Sequence, residues 1–291
     1  MLPKKDVLLR KHLVLNKSDE AHKILANLHP ADIAQILSEI KNGNKKLFFQ
    51  MMSSSKAAEV LEEFEPYDRL HIIEEMTEAE TIKILENMSV DEITDLFQQM
   101  PTVQAESLLL KLPQEDYDEL KSLLKMAEDT AGGLMTTDYV YIFSDATVSQ
   151  AICDVRQFGH KAETIYYIYV VDNKKHLKGV LSLRELITAP RDKRIHEIMH
   201  TKIVSVHVDQ DQEEVAKIIS RYSLLAVPVV NEANRLLGIV TVDDAMTVTE
   251  EETTEDILKF SGSDIDKTIN FEEISPWSRA KRRLPWILVA I

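Results

Sequence analysis

Along the first 120 residues, apolar side chains return every twelfth position: Leu28, Ile40, Met52, Phe64, Met76, Met88, Met100 and Leu112. Eight or nine residues after each comes an apolar pair: Ile36/Leu37, Phe48/Phe49, Val60/Leu61, Ile72/Ile73, Ile84/Leu85, Leu96/Phe97 and Leu108/Leu109, with Leu120 alone in the last repeat. Turn and cap residues separate the repeats, among them His29-Pro30, Ser53–Ser55, Pro66, Ser89, Pro101 and Pro113. Helical spacing behind a Pro, Ser, Thr or Asp predicts a helix of about two to three turns per repeat, followed by a tight turn. Helices this short do not hold in water alone but do when stacked on neighbours. The pattern therefore predicts an all-α superhelical solenoid of short helices.

From residue 131 the pattern changes to β-branched and aromatic runs. An extended run Met135–Phe143 precedes a helix Val148–Phe158, a strand Thr164–Val171, a turn at Asp172-Asn173, a strand Leu177–Ser182 and a helix from Arg184. A second copy of this βαββα unit begins at Met199, with a run His200–Val208 and a helix Asp211–Tyr222. It continues through a strand Ala226–Val230, a turn at Asn231–Asn234 and the run Leu236–Asp244. Gly179 and Gly238 fall at equivalent points of the two hairpins, as do Ser182/Glu185 and Thr241/Asp244. A hydroxyl residue followed three positions later by an acid is a capping box, which is one sufficient reading of both pairs.

Next comes an acidic stretch, Thr249–Phe260. Read as a helix, it sets Glu251, Glu252, Glu255 and Asp256 on neighbouring turns. Carboxylates so crowded repel unless a cation lies among them, and Mg²⁺ keeps much of its water, so one or two carboxylates per ion suffice. An ordinary solvated helix face accounts for them equally well. The chain closes on Arg279, Lys281, Arg282 and Arg283, then Trp286 and an apolar run to Ile291. A basic cluster, a Trp and an unbroken apolar run are how a membrane span begins on its cytoplasmic side, although only eight residues follow Arg283. The expectation is a chain ending inside its first membrane helix.

The net charge of −15 sharpens this picture, because residues 1–275 carry 30 bases against 49 acids. Such a body is a poor binder of nucleic acid and a plausible binder of divalent cations, though solubility alone also explains an acidic surface. One cysteine, Cys153, excludes an intrachain disulfide and a thiolate metal cluster. No nucleophile with a base, paired His/acid site or glycine-rich phosphate loop is present, so an enzyme is not expected.

The paired βαββα units resemble a tandem pair of cystathionine-β-synthase (CBS) domains. That resemblance implies a regulatory module that packs as a homodimer and takes an adenine nucleotide such as ATP between its copies. The hydroxyls of Ser182 and Thr241 and the carboxylates of Glu185 and Asp244 then lie where phosphate and ribose are held. The order of solenoid, CBS pair, acidic helix and membrane entry resembles the MgtE family of magnesium transporters. The closest stretches are Ala131–Met135, Ala162–Asp172, Asp211–Ala216, Gly238–Asp244 and Thr254–Ile257. The domains so implied are a helical solenoid at 1–130, CBS copies at 131–195 and 196–248, an acidic connecting helix at 249–275 and the start of a membrane helix at 276–291.

In that family the cytoplasmic domains sense Mg²⁺. Ions bridging acids between domains hold the pore shut, and uncompensated charge pushes the domains apart when Mg²⁺ is scarce. The matching positions are Glu59, Asp91 and Asp95 on the solenoid, then the carbonyl of Gly132, then Asp211, Glu213 and Asp244 in the second CBS copy. On the connecting helix they are Glu252, Glu255 and Asp256. Ser223 and Thr247 replace further carboxylates, which implies fewer or weaker ions. The matching nucleotide positions are Tyr167, Ser182, Arg184 and Glu185. The implied role is a Mg²⁺-sensing gate on the cytoplasmic face of a multi-pass protein in the cell membrane. The alternatives are a soluble adenine-nucleotide-binding CBS regulator with a helical adaptor, and a plain interaction scaffold.

Overall fold

The computed structural model describes residues 18–40, 45–64 and 66–260. It divides between Lys125 and Met126 into two compact units. Residues 276–291, expected to begin a membrane span, lie outside the described residues, as does the connecting stretch from Ser261 onward. Among the described residues no helix is long and apolar enough to cross a membrane.

The first unit is helical throughout its described residues. Its helices are α1 (Ser18–Asn27), α2 (Pro30–Ser38), α3 (Lys45–Gln50), α4 (Ser54–Glu62), α5 (Pro66–Glu74), α6 (Glu78–Leu85), α7 (Val90–Gln99), α8 (Thr102–Leu109) and α9 (Gln114–Leu123). Several begin where the sequence offers an acceptor or a proline. Ser53 Oγ takes the Lys56 N–H at 3.2 Å, and Thr77 and Glu80 close a reciprocal capping box. Every apolar pair of the twelve-residue repeat is buried, and the repeat positions themselves are buried or half-buried. Alternate helices pack together, α2 on α4, α4 on α6, α5 on α7 and α7 on α9, so the pairs form one continuous core. At about 1.5–3 kcal/mol per buried large apolar side chain, this stacking supplies what such short helices lack individually.

A buried arginine crosses the repeats. Arg69, 8 % exposed, donates from Nε to the Phe64 carbonyl at 2.6 Å, from a second nitrogen to the Glu62 carbonyl, and pairs with the Glu92 carboxylate. Two carbonyls left open at the end of α4 are thereby satisfied by a side chain that also reaches α7.

The second unit holds two three-stranded sheets of the same design. The first is ordered β1 (Tyr139–Phe143), β2 (Thr164–Val171), β3 (Leu177–Ser182), and the second β4 (Val206–His207), β5 (Ala226–Val230), β6 (Leu236–Thr241). In each, the first pair is parallel and the second an antiparallel hairpin. The helices are the short α10 (Ala131–Leu134), α11 (Val148–Phe158), α12 (Leu183–Thr188), α13 (Gln212–Tyr222) and α14 (Val242–Phe260). α14 runs without a break through residues 248 and 249, so the last helix of the second CBS copy and the start of the acidic connecting helix are one rod.

The extended runs predicted ahead of each copy are only partly strand of their own sheet. β1 starts at Tyr139 and β4 is two residues long, because the leading segments pair elsewhere. Thr136 exchanges backbone hydrogen bonds with Ile239 of β6 at 2.9 and 3.0 Å. His200 does the same with Val180 of β3, also at 2.9 and 3.0 Å. Each copy thus lends its leading segment to the edge of the other copy's sheet. The two glycines at equivalent hairpin positions explain the fit. A Cβ on Gly179 would meet Met199 Sδ at 2.5 Å, and one on Gly238 would meet the Thr136 carbonyl at 2.6 Å and Met135 Sδ at 2.8 Å. Between the sheets lies an apolar core of Tyr169, Val171, Leu177, Ala226, Val230, Leu236 and Ile239.

Candidate cation and nucleotide sites

On the solenoid, Glu59 is exposed on α4, with Lys56 Nζ 3.2 Å from its Oε2. It edges a groove of about 560 Å³ that Lys23 and Lys56 also line, so a cation there competes with two lysine ammonium groups. Asp91 and Asp95 stand one turn apart on α7, Asp91 half-buried in the first turn behind Ser89 and Asp95 exposed. Their neighbourhood already holds excess negative charge. The Glu62 carboxyl is pushed up to about 7, first by burial and then by the nearby Glu92 and Asp91 carboxylates, against the pull of the Ser89 N–H at 2.9 Å.

In the second unit the sequence-predicted acids gather around one end of α13. Residues 129–132 run antiparallel to 208–212: Ala131 N–H donates to the Gln210 carbonyl at 2.7 Å, Gly132 N–H to Val208 at 2.8 Å, and Gln212 N–H to Asp129 at 2.9 Å. This brings the Gly132 backbone beside the start of α13, where Asp211 is the N-cap and accepts from the Glu213 and Glu214 N–H groups at 2.9 and 3.4 Å. Glu213 turns to Lys217, 2.8 Å away. Glu252 joins the same end from α14, its Oε1 accepting from the Gln212 side-chain amide at 2.9 Å. Asp244 stands apart at the start of α14, accepting from the Thr241 hydroxyl and, at 3.3 Å, from the Thr241 N–H. Glu255 and Asp256 lie on the same helix, but their side chains fall outside the described residues. Where carboxylates were expected and are missing, Ser223 is the left-handed cap of α13 with φ 52°, and Thr247 donates to the Asp243 carbonyl at 3.3 Å.

Among the described residues no three His, Cys, Asp or Glu side chains converge as a ready-made metal cage. The oxygens found at this end of α13 are the Asp211 carboxylate at the N-cap and the Glu252 carboxylate on the Gln212 amide, both of them hard donors. They suit a largely hydrated Mg²⁺ held by one or two carboxylates rather than a transition metal in a closed cage.

The nucleotide-candidate residues meet at the end of the first hairpin. Tyr167 on β2 lies directly opposite Ser182 on β3. Ser182 caps α12 in a capping box. Its N–H and hydroxyl both donate to Glu185 Oε2 at 2.8 Å, while the Glu185 N–H returns to Ser182 Oγ at 3.2 Å. Arg184 is exposed beside them. Glu185 Oε1 is also occupied, by His200 Nε2 at 2.6 Å, an imidazole carried in by the exchanged leading segment. The Ser182 N–H, followed by the His200 hydrogen bond, holds the Glu185 carboxyl down at about 2. His200 and Gln212 are the two residues that sequence reasoning missed. Neither carries a spacing signal, since each reaches its partner through a pairing between distant segments.

Comparison with known proteins agrees with this arrangement. The MgtE intracellular N domain matches residues 28–129, and the CBS domain matches residues 131–192 and 195–251. The magnesium transporter MgtE of Thermus thermophilus is 40 % identical over 272 residues, covering 92 % of this chain and 60 % of that protein. The magnesium transporter MgtE of Bacillus subtilis is 32 % identical over 275 residues, covering 94 % and 60 %. The chain therefore spans about 60 % of the length of these relatives. A crystal structure of the cytosolic domain of the Mg²⁺ channel MgtE in complex with ATP superimposes with a TM-score of 0.80 at 37 % identity, covering 84 % of this chain and 99 % of that one. A helical domain of twelve-residue repeats, two CBS copies that exchange their leading segments, and these matches lead to one conclusion: the chain belongs to the MgtE family and carries its intracellular N domain followed by its CBS pair.

Proposed function

We propose that this chain is the Mg²⁺-sensing, gate-controlling region of a membrane magnesium transporter, placed on the cytoplasmic face. The observation that carries the reading is the convergence of the Gly132 segment, Asp211 and Glu252 on one end of the second CBS copy. That end joins the segment arriving from the helical domain to the helix that continues toward the C-terminus. A cation held there, with others held by Glu59, Asp91, Asp95, Glu213, Asp244, Glu255 and Asp256, ties the elements together. Without it the carboxylates repel.

Like charges a few ångströms apart at a partly wet surface cost on the order of one to a few kcal/mol. Several such pairs reach the roughly 5 kcal/mol that swings a two-state equilibrium from mostly closed to mostly open. Each ion must bind the closed state more tightly, because only differential affinity shifts a population. The relative solved with ATP supports an adenine nucleotide as ligand, and the positions assigned to it by resemblance are Tyr167, Ser182, Arg184 and Glu185. The exposed apolar side chains of Phe158, Ile187, Tyr222 and Met246 on helices α11 to α14 support a homodimer through the CBS pair.

The test is performed on the chain itself. Millimolar Mg²⁺ compacts it in small-angle scattering and protects residues 250–254 from proteolysis. An Asp91→Ala plus Asp244→Ala variant loses much of that response. Scattering and proteolysis both indifferent to Mg²⁺ sink the reading.

A further inference from the structure

The first observation is where α14 leaves the body of the second unit. Ala245 and Val248 are buried, but among the described side chains beyond Val248 only Glu252 is not exposed. What meets Glu252 is Gln212, a polar side chain only 9 % exposed, whose amide donates to Oε1 at 2.9 Å. The same residue's N–H is committed to the Asp129 carbonyl at 2.9 Å. Gln212 therefore touches three elements at once: the segment entering the CBS pair, the start of α13, and the acidic part of α14.

A buried side-chain amide costs free energy unless its hydrogen bonds are made, and a bond to a carboxylate is stronger than one between neutral groups. An apolar residue would fill this place at lower risk. The amide's distinguishing property is that it offers a donor to a carboxylate without adding charge.

We propose that Gln212 is a positioning residue that stands in for a cation. It holds Glu252, and with it the acidic half of α14, against the second CBS copy when no divalent ion is present. The amide N–H gives Glu252 the partial positive partner that its neighbours Asp211 and Glu213 cannot. The start of the acidic stretch is thus tethered to the second CBS copy through one contact, and an arriving ion adds to that contact instead of recruiting a free rod. This rests on the cation-sensing reading for the role of the ion, but the positioning itself is metal-free.

Two variants of equal length separate the readings. Gln212→Met keeps the volume and removes the donor; Gln212→Glu keeps the volume and substitutes a carboxylate. Amide hydrogen exchange over residues 246–257 is followed in the whole chain with EDTA. Exchange in β5 and β6 serves as the control that the CBS core is intact.

Gln212→Met is expected to exchange about tenfold faster over that stretch, and Gln212→Glu faster still. Millimolar Mg²⁺ restores both variants, because the ion then supplies the positive partner that the amide gives Glu252 in its absence. Because the two groups act through each other, Glu252→Met gives the same acceleration, and the double variant adds nothing beyond either single one. Glu252→Met also carries the test should Gln212→Met fail to fold. Wild-type exchange in Gln212→Met, or strict additivity in the double variant, overturns the proposal and reduces Gln212 to packing. Acceleration that Mg²⁺ does not reverse in Gln212→Glu supports the positioning role and counts against the cation reading at this end.

Discussion

Replacing Glu62 by glutamine should stabilise the helical domain at alkaline pH and leave it unchanged in acid. Glu62 lies at the end of α4, half-buried, with Glu92 and Asp91 close by, and its carboxyl is raised from 4.5 to about 7 by burial first and by those charges next. A group raised in the folded state contributes its full stability below its unfolded value of 4.5. That contribution is lost as the pH rises through about 7, where the carboxyl must ionise in place. The difference between 4.5 and about 7 corresponds to at most about 3 kcal/mol. Screening on the open side of the carboxyl brings this down to about 1–2 kcal/mol.

Glutamine cannot ionise, yet its amide oxygen still accepts the Ser89 N–H that Glu62 takes at 2.9 Å. Urea unfolding followed by helical circular dichroism, in EDTA so that no cation binds Asp91, should show Glu62→Gln ahead by about 1–2 kcal/mol at pH 8 and level at about pH 4. Hydrogen exchange over α4 to α7 assigns the gain to the right unit. A variant no more stable than wild type at pH 8, or one equally ahead at both pH values, refutes the reasoning.

Arg69→Met leaves two carbonyls and the Glu92 carboxylate without their shared buried partner. It should cost the helical domain about 2–4 kcal/mol in the same urea assay. Gly238→Ala should destabilise the CBS pair more than Gly179→Ala, by about 1–2 kcal/mol in thermal unfolding. The first Cβ meets a backbone carbonyl, whereas the second meets chiefly the flexible end of Met199. His200→Ala removes the 2.6 Å bond to Glu185, so carboxyl titration by NMR should show the Glu185 value rising from about 2 toward the ordinary range. A value that stays put would assign the whole depression to the capping box.

The helical domain was legible almost residue by residue, because the apolar pairs at Ile36/Leu37 through Leu108/Leu109 are all buried as the repeat required. So were the hairpins, whose strands Thr164–Val171, Leu177–Ser182 and Ala226–Val230 fall where alternation and turn residues put them. The runs Met135–Phe143 and His200–Val208 were read as strands of their own copies, and only their ends are. Nothing local distinguishes a strand that pairs within its sheet from one that crosses to another. The acids of the candidate cation site were visible as residue types and, through family resemblance, as positions, but not as partners.

The sequence by itself determined the order of elements, the change of architecture near residue 131, the burial of the apolar repeat and the acidic character of the chain. These follow from periodicity and propensity, which the local backbone geometry sets. Only the tertiary structure decided that the two CBS copies exchange leading segments, that His200 reaches Glu185, that Gln212 reaches Glu252, and that Glu62 is held where its charge is costly. Each of these depends on which groups far apart in the chain share a desolvated space. The strength of a hydrogen bond or a charge is fixed by that space, not by its neighbours in sequence.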